Sequence, residues 1–377
     1  DNALKVLERA HTVALPTEKS ATYQLRALIG LKNFEEGLDF IRTLGERFPA
    51  TAENLFLKAV CEFNLRLYRQ TLESVQQSLR LDPGYREAQE LQTQIAALQN
   101  GEIDMIEQPS TDLLPLVEKD KNAKLVDWNP LGNQYVMRFN SSLKPFNDAK
   151  IRHAVMVAFG QEDFLKATIG DSKYYKLCKA VFICGTPLGS DVGMTDVLNQ
   201  NAAKAKELLK EAGYDGTPIV LLQSTDLQVL TNLAPVAKSQ LEAAGFKVDM
   251  QSSDWQSVVA RRVKKDPVDK GGWNLMLTSW VAADILNPVM AGFFNASCEK
   301  AMFGWPCDET IEKMRDSFAK ESDPAKQKQI ALDLQKYWVD HPTHVHLGQW
   351  YQPSILRTSL DGMMTAPAPV FWNMSKK

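Results

Sequence analysis

Residues 219–250 read IVLLQSTDLQVLTNLAPVAKSQLEAAGFKVDM and contain the pattern of one strand–helix–strand unit. The pattern predicts an apolar strand over 219–223 and a helix over 227–244, with Gly245 as the residue that ends the helix. Apolar and polar residues then alternate over 246–250, which predicts the next strand. Strands joined through a helix in this way are typical of a sheet whose neighbouring strands run parallel.

Strands and helices alternate on both sides of this unit as well. The sequence predicts further strands over 132–140, 273–280 and near 344–351. It predicts a helix with an apolar stripe from Ile151 to Phe159, a helix over 201–212 that ends at Gly213, and a helix that begins at a capping box over Ser253–Gln256. Two more helices are predicted over 308–320 and 323–339, the second with Asp323 as cap and Pro324 in its first turn. We therefore expect the fold class α/β, with a mainly parallel sheet covered by helices on its faces.

The first hundred residues differ, because they contain an internal repeat with a spacing of 34 residues. The recurring positions are Leu31, Phe34, Leu38 and Pro49, which return as Leu65, Tyr68, Leu72 and Pro83. This period resembles that of tetratricopeptide repeats, in which each repeat is a helical hairpin. We expect an N-terminal all-α domain over 1–99, with a leading helix over 2–14 and a closing helix over 84–99. Such a domain is either a docking surface for a protein or peptide or a helical spacer.

Composition excludes several classes of function. The 377 residues carry a net charge of −3 without a block of like charges, so nucleic acid and anionic membranes are not expected partners. No apolar run approaches the ~20 residues of a membrane-spanning helix. The chain begins at Asp1 without an apolar signal segment, as a processed chain or a laboratory derivative would.

The five cysteines form two close pairs and one isolated residue, Cys61. The pairs are Cys178 with Cys184 and Cys298 with Cys307. Two short disulfides and a free thiol would suit an oxidising compartment, whereas composition alone is equally compatible with five unrelated buried thiols.

Several segments in residues 100–377 are similar, in the same order, to bacterial extracellular solute-binding proteins of the dipeptide, oligopeptide and nickel type. These segments are Asn100–Met105, the strand ending in Asn140, Pro145–Arg152, Gly185–Leu188, Ala202–Gly213, Gly271–Trp273, Phe303–Asp308, Leu347–Tyr351 and Phe371–Asn373. The resemblance implies a two-lobed periplasmic protein that holds a small solute, most simply a peptide, in a cleft between its lobes and delivers it to the membrane subunits of an ABC importer. It implies no enzyme activity and no cofactor.

The resemblance also predicts a division of the chain. Residues 141–343 would form the C-terminal lobe, while 100–140 and 344–377 would be remnants of the first lobe and the hinge. Family members carry most of the first lobe ahead of the Gly101-Glu-Ile-Asp104 motif, where this chain has the helical repeat. Three explanations stay open: a fusion, a natural derivative that has lost transport, or a repeat that substitutes for the missing face.

The resemblance also suggests ligand-binding residues. Peptide binders of this family hold the ligand's amino group with an aspartate four residues before a proline, which here is Asp284 before Pro288. Its loop follows a predicted strand, and α/β proteins bind ligands at such strand ends. Trp280 and Trp273 would form walls of the pocket, although lone aromatic residues on apolar strands more often belong to the core.

Arg261 and Arg262 end a predicted helix and could bind a ligand carboxylate, or simply complement the helix dipole. Related binders carry cysteine pairs where this chain has Cys178–Cys184 and Cys298–Cys307, so the resemblance favours two disulfides. A zinc site built from these cysteines with His153, His341, His344 or His346 is the alternative. His344 and His346 should point to one face of a strand, but no third metal ligand is evident, and we expect no resident metal.

The sequence lacks the usual motifs of catalysis. It contains no Gly-x-Ser-x-Gly elbow and no phosphate-binding Gly-Lys-Ser/Thr loop. We therefore predict a periplasmic solute-binding component of an ABC importer. The alternatives are an interaction scaffold that uses the helical repeats, or a composite chain without an intact clamshell.

Overall fold

The computed structural model describes residues 17–31, 33–65, 67–85, 88, 103–109, 114–117 and 121–377. The predicted leading helix 2–14, most of the closing helix 84–99 and the junction at Gln99–Gly101 lie outside the described residues. The chain divides into two units. The first comprises the chain up to Trp128 with residues 353–364 and 369–377, and the second comprises 129–352 with 365–368.

The described part of the first unit begins with four helices in succession. They are α1 Glu18–Gly30, α2 Phe34–Gly45, α3 Ala52–Asn64 and α4 Tyr68–Leu81. Their starts at residues 18 and 52, and at 34 and 68, are each 34 residues apart, which is the period of the sequence repeat. Thr17 and Ser20 form a capping box that satisfies backbone N–H groups at the start of α1.

Small apolar cores hold these helices together. One core contains Leu25, Leu57 and the free cysteine Cys61, and another contains Ala59 and Val75. Burial, and secondarily the charge of Glu62, raise the pKa of the Cys61 thiol to about 12, so this cysteine is an inert core residue.

The first unit also contains a small sheet built from distant segments. Its strands are β1 Met105–Ile106, β2 Ala123–Val126 and β9 Ser354–Arg357, and a separate hairpin pairs β10 Leu360–Asp361 with β11 Ser375–Lys376; the short helix α5 Leu114–Val117 precedes β2. Strand β9 lies between β1 and β2 and runs antiparallel to both. The buried Ser354 hydroxyl donates to the Glu107 carbonyl and accepts from the indole N–H of Trp128.

A six-stranded sheet in the order β4-β8-β3-β7-β5-β6 forms the centre of the second unit. Its strands are β3 Asn133–Phe139, β4 Tyr175–Lys176, β5 Ile219–Ser224, β6 Val248–Ser253, β7 Leu275–Val281 and β8 His344–Trp350. Its helices are α6 Ala149–Ala158, α7 Gln161–Thr168, α8 Ala202–Glu211, α9 Gln228–Thr231, α10 Leu233–Ala243, α11 Trp255–Arg261, α12 Glu309–Lys320 and α13 Pro324–Asp340. Among the described helices of the chain, none has the length and hydrophobicity of a bilayer-spanning segment.

The prediction of a mainly parallel sheet is wrong, because this sheet is mixed. Strand β5 runs parallel to β6 and β7, whereas β3 runs antiparallel to β7 and β8, and β4 runs antiparallel to β8. A strand–helix–strand pattern predicts parallel strands only where a crossover helix joins two neighbouring strands of the sheet. Strands β3 and β8 reach the sheet from segments far apart in the chain, so nothing local sets their direction.

Two helix predictions also differ in detail from the structure. The helix predicted over 227–244 is broken at Asn232 into α9 and α10. Pro235 explains the break, since its ring would clash with the carbonyl of residue 231 in a continuous helix. The cap of α11 is Asp254, whose carboxylate accepts from the Ser257 N–H, rather than Ser253 as predicted.

The strands predicted over 132–140 and near 344–351 are both central to this sheet. The sequence resemblance places them in remnants of the first lobe, outside a C-terminal lobe expected over 141–343. The structure instead groups both strands with the second unit, which extends over 129–352. The pairing of β3 with β7 and with β8 cannot be read from the sequence on either side of the expected boundary.

Gly132 should tolerate alanine less well than Gly213, although both residues adopt a positive φ, 68° and 72°. A Cβ atom at Gly132 would overlap the Trp350 carbonyl oxygen, whereas no atom lies within 4 Å of one at Gly213. We expect Gly213→Ala to lower the free energy of unfolding by about 1 kcal/mol. Gly132→Ala should lower the free energy of unfolding by ~1–3 kcal/mol more than Gly213→Ala does. Denaturant unfolding of both variants checks this, and equal losses would show that β3 and β8 can separate here at no cost.

Candidate functional site

Strands β5, β6, β7 and β8 all end at one edge of the sheet of the second unit. This follows because β7 and β8 are both antiparallel to β3, while β5 and β6 are parallel to β7. The chain runs from β5 to its neighbour β6 and then returns to β7 on the other side of β5. Such a reversal of direction opens a crevice at the carboxyl ends of the strands, where α/β proteins bind ligands.

Asp284 lies beside this crevice, in a single 3-10 turn, Ala282–Ile285, directly after β7. The turn is anchored at its start, since the Ala282 N–H donates to the Gly132 carbonyl at 2.9 Å. Asn287 holds the next turn, because its side-chain oxygen accepts from the N–H groups of two following residues. The Asp284 side chain is exposed, and its carboxylate has no hydrogen-bond or ion-pair partner among the described residues. An anchored carboxylate is thus available to a cationic group.

The two tryptophans proposed as pocket walls lie in different environments. Trp280 is half-buried at the end of β7 and packs edge-on against Phe293, with ring centroids 5.2 Å apart. Trp273 is 0% exposed and belongs to the core with Val258 and Met276, while its indole N–H donates to the Arg262 carbonyl. Trp280 therefore presents surface near Asp284, whereas Trp273 presents none.

The structure does not bring Arg261 and Arg262 to Asp284. The Arg261 guanidinium donates to the carbonyls of Gly271 and Gly272, at 2.9 and 2.7 Å, just before β7 begins. Asp284 follows the other end of this seven-residue strand, which spans roughly 20 Å. Arg261 thus holds a loop in place, and Arg262 rests on the ring of Phe303.

Sequence reasoning missed a row of polar residues next to the carboxyl edge. Strand pairing aligns Lys176 with Gln349, Gln349 with Gln134, and Gln134 with Trp280; we call these four residues the edge row. Directly paired residues point to the same face of a sheet, so the four side chains lie side by side. The row could not be found from sequence, because it depends on the register between four strands and one of them, β4, has only two residues.

The edge row contains unused hydrogen-bonding capacity. Gln134 is 0% exposed, and neither atom of its amide has a partner within the described part of the chain. The Gln349 amide donates to the Leu131 carbonyl at 2.6 Å, but its oxygen is likewise without a partner. Lys176 is half-buried, with its Nζ 3.5 Å from the Cys184 carbonyl oxygen, and no described carboxylate pairs with it. Buried polar atoms of this kind mark places where a ligand or ordered water supplies the partner.

Both cysteine pairs form disulfides, as the resemblance implied. Cys178 bonds to Cys184, and Cys298 bonds to Cys307. The first disulfide closes the loop next to Lys176, and the Cys178 N–H donates to the buried Gln161 side chain at 2.8 Å. The zinc alternative is thereby excluded for these four cysteines, because a disulfide sulfur is not a thiolate ligand.

His344 and His346 do point to one face of β8, with ring centroids 4.9 Å apart. Both are fully buried, and the Trp338 ring lies about 5 Å from each of them. Across the residues that the structure covers, no three His, Cys, Asp or Glu side chains converge as metal ligands would. Burial lowers the pKa of both histidines, that of His346 to about 3, while the charges of His346 and Arg138 lower that of His344 further. The pair is a neutral part of the core.

A second candidate surface lies in the first unit. A cavity of about 540 Å³ opens between α2 and α3. Apolar residues such as Leu38, Ile41, Phe48 and Leu55 line it, together with Lys58. The cavity is large enough for several side chains of a docked segment.

Comparison with known proteins supplies a family. The pattern of "Bacterial extracellular solute-binding proteins, family 5 Middle" matches residues 85–300, which is more than half of the chain. Among curated proteins, the "Probable peptide ABC transporter periplasmic-binding protein y4tO" of Sinorhizobium fredii is 36% identical over 292 residues, covering 76% of this chain and 54% of that protein. The chain thus spans about half the length of the curated relatives it matches.

Solved structures show the same fold. A Helicobacter pylori periplasmic binding protein, DppA, in complex with the peptide STSA has a TM-score of 0.62 at 18% identity, covering 76% of this chain and 55% of that one. The binding protein AgaA of A. tumefaciens R10, in complex with agropinic acid, has a TM-score of 0.64 at 18% identity, covering 76% and 58%. The fold is therefore that of periplasmic binding proteins.

Acid should destabilise the second unit through the histidine pair. Below the ordinary histidine pKa of 6.5, histidine in the unfolded chain binds a proton, whereas the buried histidine in the folded protein stays neutral. The free energy of unfolding therefore falls as the pH falls below about 6.5. For His346 alone the loss relative to pH 8 should reach about 2 kcal/mol at pH 5. Urea unfolding at a series of pH values should show His346→Leu with a shallower slope than the wild type. His341→Leu, which replaces a histidine at the end of α13, is the control. If His346→Leu shows the same dependence of stability on pH as the wild type, His346 is not the cause of the acid destabilisation.

Proposed function

Because the chain belongs to family 5 of the bacterial extracellular solute-binding proteins, we propose that it binds a peptide-like solute for an ABC importer. Its relatives are solute-binding proteins, not enzymes. The Sinorhizobium relative is named for peptide transport, and the Helicobacter structure contains a peptide, which supports a peptide over other solutes. A periplasmic location follows from the same proposal.

The unpaired carboxylate of Asp284 is the observation that carries this proposal. A peptide's amino terminus is a cation, and an anchored carboxylate beside a strand end would bind it through charge-assisted hydrogen bonds. Trp280 would cover the adjoining apolar part of the ligand, since its ring is held by an edge-on contact with Phe293 and is still partly exposed. Neither group has to break an existing bond within the described structure before it can bind.

Lys176 extends the proposal to the other end of the ligand. It is a cation to which no described carboxylate is paired, at the opposite end of the edge row from Trp280. Three strand spacings separate the two residues, which is roughly 14 Å. An extended peptide spans at most ~3.3–3.6 Å per residue, so a chain of about four residues would reach from Trp280, close to Asp284 in the chain, to Lys176. We therefore propose short peptides with a free carboxylate as the ligand class.

A second candidate function is docking of a protein or peptide segment on the helical repeats, which we propose to be of the tetratricopeptide kind. Two observations favour it: the helices recur every 34 residues, and the cavity between α2 and α3 is lined by apolar side chains. This function is compatible with solute binding, because it uses the first unit and the edge row belongs to the second.

Asp284→Ala should weaken the binding of a tetrapeptide by roughly 2–5 kcal/mol, because the ligand's ammonium group loses its only described counter-ion. Calorimetric titration measures this, after a thermal-shift screen of di- to pentapeptides has identified a ligand. Asp269→Ala is a matched control, since Asp269 is also an exposed aspartate in a 3-10 turn, Val268–Lys270, at the other end of β7. Equal affinities for Asp284→Ala and the wild type would rule out the role of Asp284.

Lys176→Met should remove discrimination against amidated peptides. We expect the wild type to bind a peptide with a free carboxylate about tenfold or more tightly than its C-terminal amide, since a charged hydrogen bond contributes ~1.5–3 kcal/mol. The variant should bind both forms equally, while an N-acetylated peptide still binds poorly through its missing contact with Asp284. If Lys176→Met discriminates as the wild type does, the carboxylate is bound elsewhere and the predicted ligand length loses its basis.

A further inference from the structure

Arg138 is a buried cation without a counter-ion among the residues that the structure describes. It lies on β3, directly opposite His344 on β8 and Met276 on β7, and is only 3% exposed. Its Nε–H is buried and has no hydrogen-bond partner, and no carboxylate pairs with its guanidinium anywhere in the described residues. A desolvated charge in this state costs several kcal/mol, so a missing partner of opposite charge is the physical expectation.

Arg152, in the same unit, is an arginine whose Nε–H has a hydrogen-bond partner. Its Nε and Nη1 groups donate to the carbonyls of Pro342 and Phe146, at 2.6 and 2.7 Å. Burial lowers its pKa to about 10, while Asp148 and Asp308 are close enough to oppose that shift. Burial also lowers the pKa of Arg138 to about 10, but the charge that acts on it among the described residues is another cation, Arg262, which lowers the pKa further.

Arg262 lies against the same face of the sheet, because the Phe303 ring on which it rests packs against the core that contains Met276, the β7 neighbour of Arg138. It follows α11, and its guanidinium carbon lies 4.6 Å from the centroid of the Phe303 ring. Its Nε–H is also buried without a partner within the described chain, and it makes no described ion pair. Two planar guanidinium groups of like charge, each with an unused donor, together match the oxygen atoms of an oxyanion.

His344 adds a further polar group beside Arg138. Its Nδ1 lies 2.8 Å from the Thr343 hydroxyl, and its Nε2 is buried without a partner in the described structure. With the hydroxyl donating to Nδ1, the neutral ring carries its proton on Nε2, which is then an available donor. Burial first, and then the charges of His346 and Arg138, lower the pKa of His344.

We propose that Arg138 and Arg262 form a binding site for a small oxyanion, whose oxygen atoms accept the Nε–H groups that the protein leaves unused. The site is distinct from the edge row, since Arg138 is four residues along β3 from Gln134, or roughly 13 Å. It lies near the start of β7, because the Trp273 indole N–H, two residues before that strand, donates to the Arg262 carbonyl. The phosphate, sulfate and carboxylate groups of small metabolites share the required chemistry.

The surrounding chain favours the entry of an anion. Arg262 is half-buried and lies close in the chain to Arg261, Lys264 and Lys265, of which Lys265 is ion-paired with Glu299. Such a cluster raises the local concentration of anions at low ionic strength. The Phe303 ring covers one side of the Arg262 guanidinium, so a bound anion would be partly shielded from water, where its attraction to the guanidinium groups is stronger.

The test compares anions at constant ionic strength on the full chain. Calorimetric titration and thermal unfolding are performed with inorganic phosphate, sulfate and acetate, and sodium chloride balances the ionic strength. The wild type should show a raised melting temperature and a measurable affinity for at least one oxyanion. A response to phosphate and sulfate alone identifies an inorganic or phosphorylated ligand, whereas a response to acetate as well identifies a carboxylate.

Arg138→Met should weaken this affinity by about 30-fold or more, as expected when one partner of a buried charge pair is removed. In chloride alone the variant should melt at or above the wild-type temperature, because the uncompensated charge has gone. Arg152→Met is the matched control: it should melt lower in every salt and keep the oxyanion response. If Arg138→Met does not fold, two further variants replace it. Arg138→Lys keeps the charge but loses the planar guanidinium group, and Arg262→Met removes the second arginine.

Two results would overturn the proposal. One is a wild type that shows no oxyanion response, and the other is an Arg138→Met variant that responds as the wild type does. Loss of stability in Arg138→Met equal to that of Arg152→Met in chloride would likewise assign Arg138 a purely structural role. Asp284→Ala should keep the oxyanion response, so the outcome is independent of peptide binding.

Discussion

Strand β3 is hydrogen-bonded along both of its edges, to β7 on one side and β8 on the other. This double pairing joins three segments that are separated by more than a hundred residues of intervening chain in total. The pairing with β7 anchors the Asp284 turn through Gly132, and the pairing with β8 aligns Gln134 with Gln349. The same registers place Arg138 opposite His344. Both candidate sites of the second unit therefore depend on the register of one strand.

One face of these three strands is unusually polar for the interior of a sheet. Gln134, Arg138, His344, His346 and Gln349 all contain buried atoms without a hydrogen-bond partner in the described chain. Each such group lowers the stability of the folded protein by about 1–3 kcal/mol, so a purely structural role for this face would be destabilising. Buried polar atoms of this kind occur where a ligand or a water molecule supplies the hydrogen-bond partner. The edge row and the arginine cluster are the two ends of this face, one facing the strand ends and the other the start of β7.

Local sequence was a good guide to the elements and a poor guide to their arrangement. Asp323 caps α13 with Pro324 in its first turn, as predicted, and Gly213 and Gly245 follow α8 and α10 with positive φ. The errors have local causes too: Pro235 breaks a predicted helix, and Asp254 rather than Ser253 caps α11. The mixed sheet could not be foreseen, because strand direction without a crossover helix is decided by distant partners.

The sequence by itself determined the strand–helix–strand unit, the 34-residue repeat, the likeness to solute-binding proteins and the candidate carboxylate Asp284. These depend on periodicity and short motifs, which act over a few residues of chain. Only the tertiary structure decided that Trp273 is core, that Arg261 holds a loop, and that Lys176 shares a row with Gln349, Gln134 and Trp280. Burial and strand register are set by contacts between residues far apart in the chain, and no local pattern encodes them.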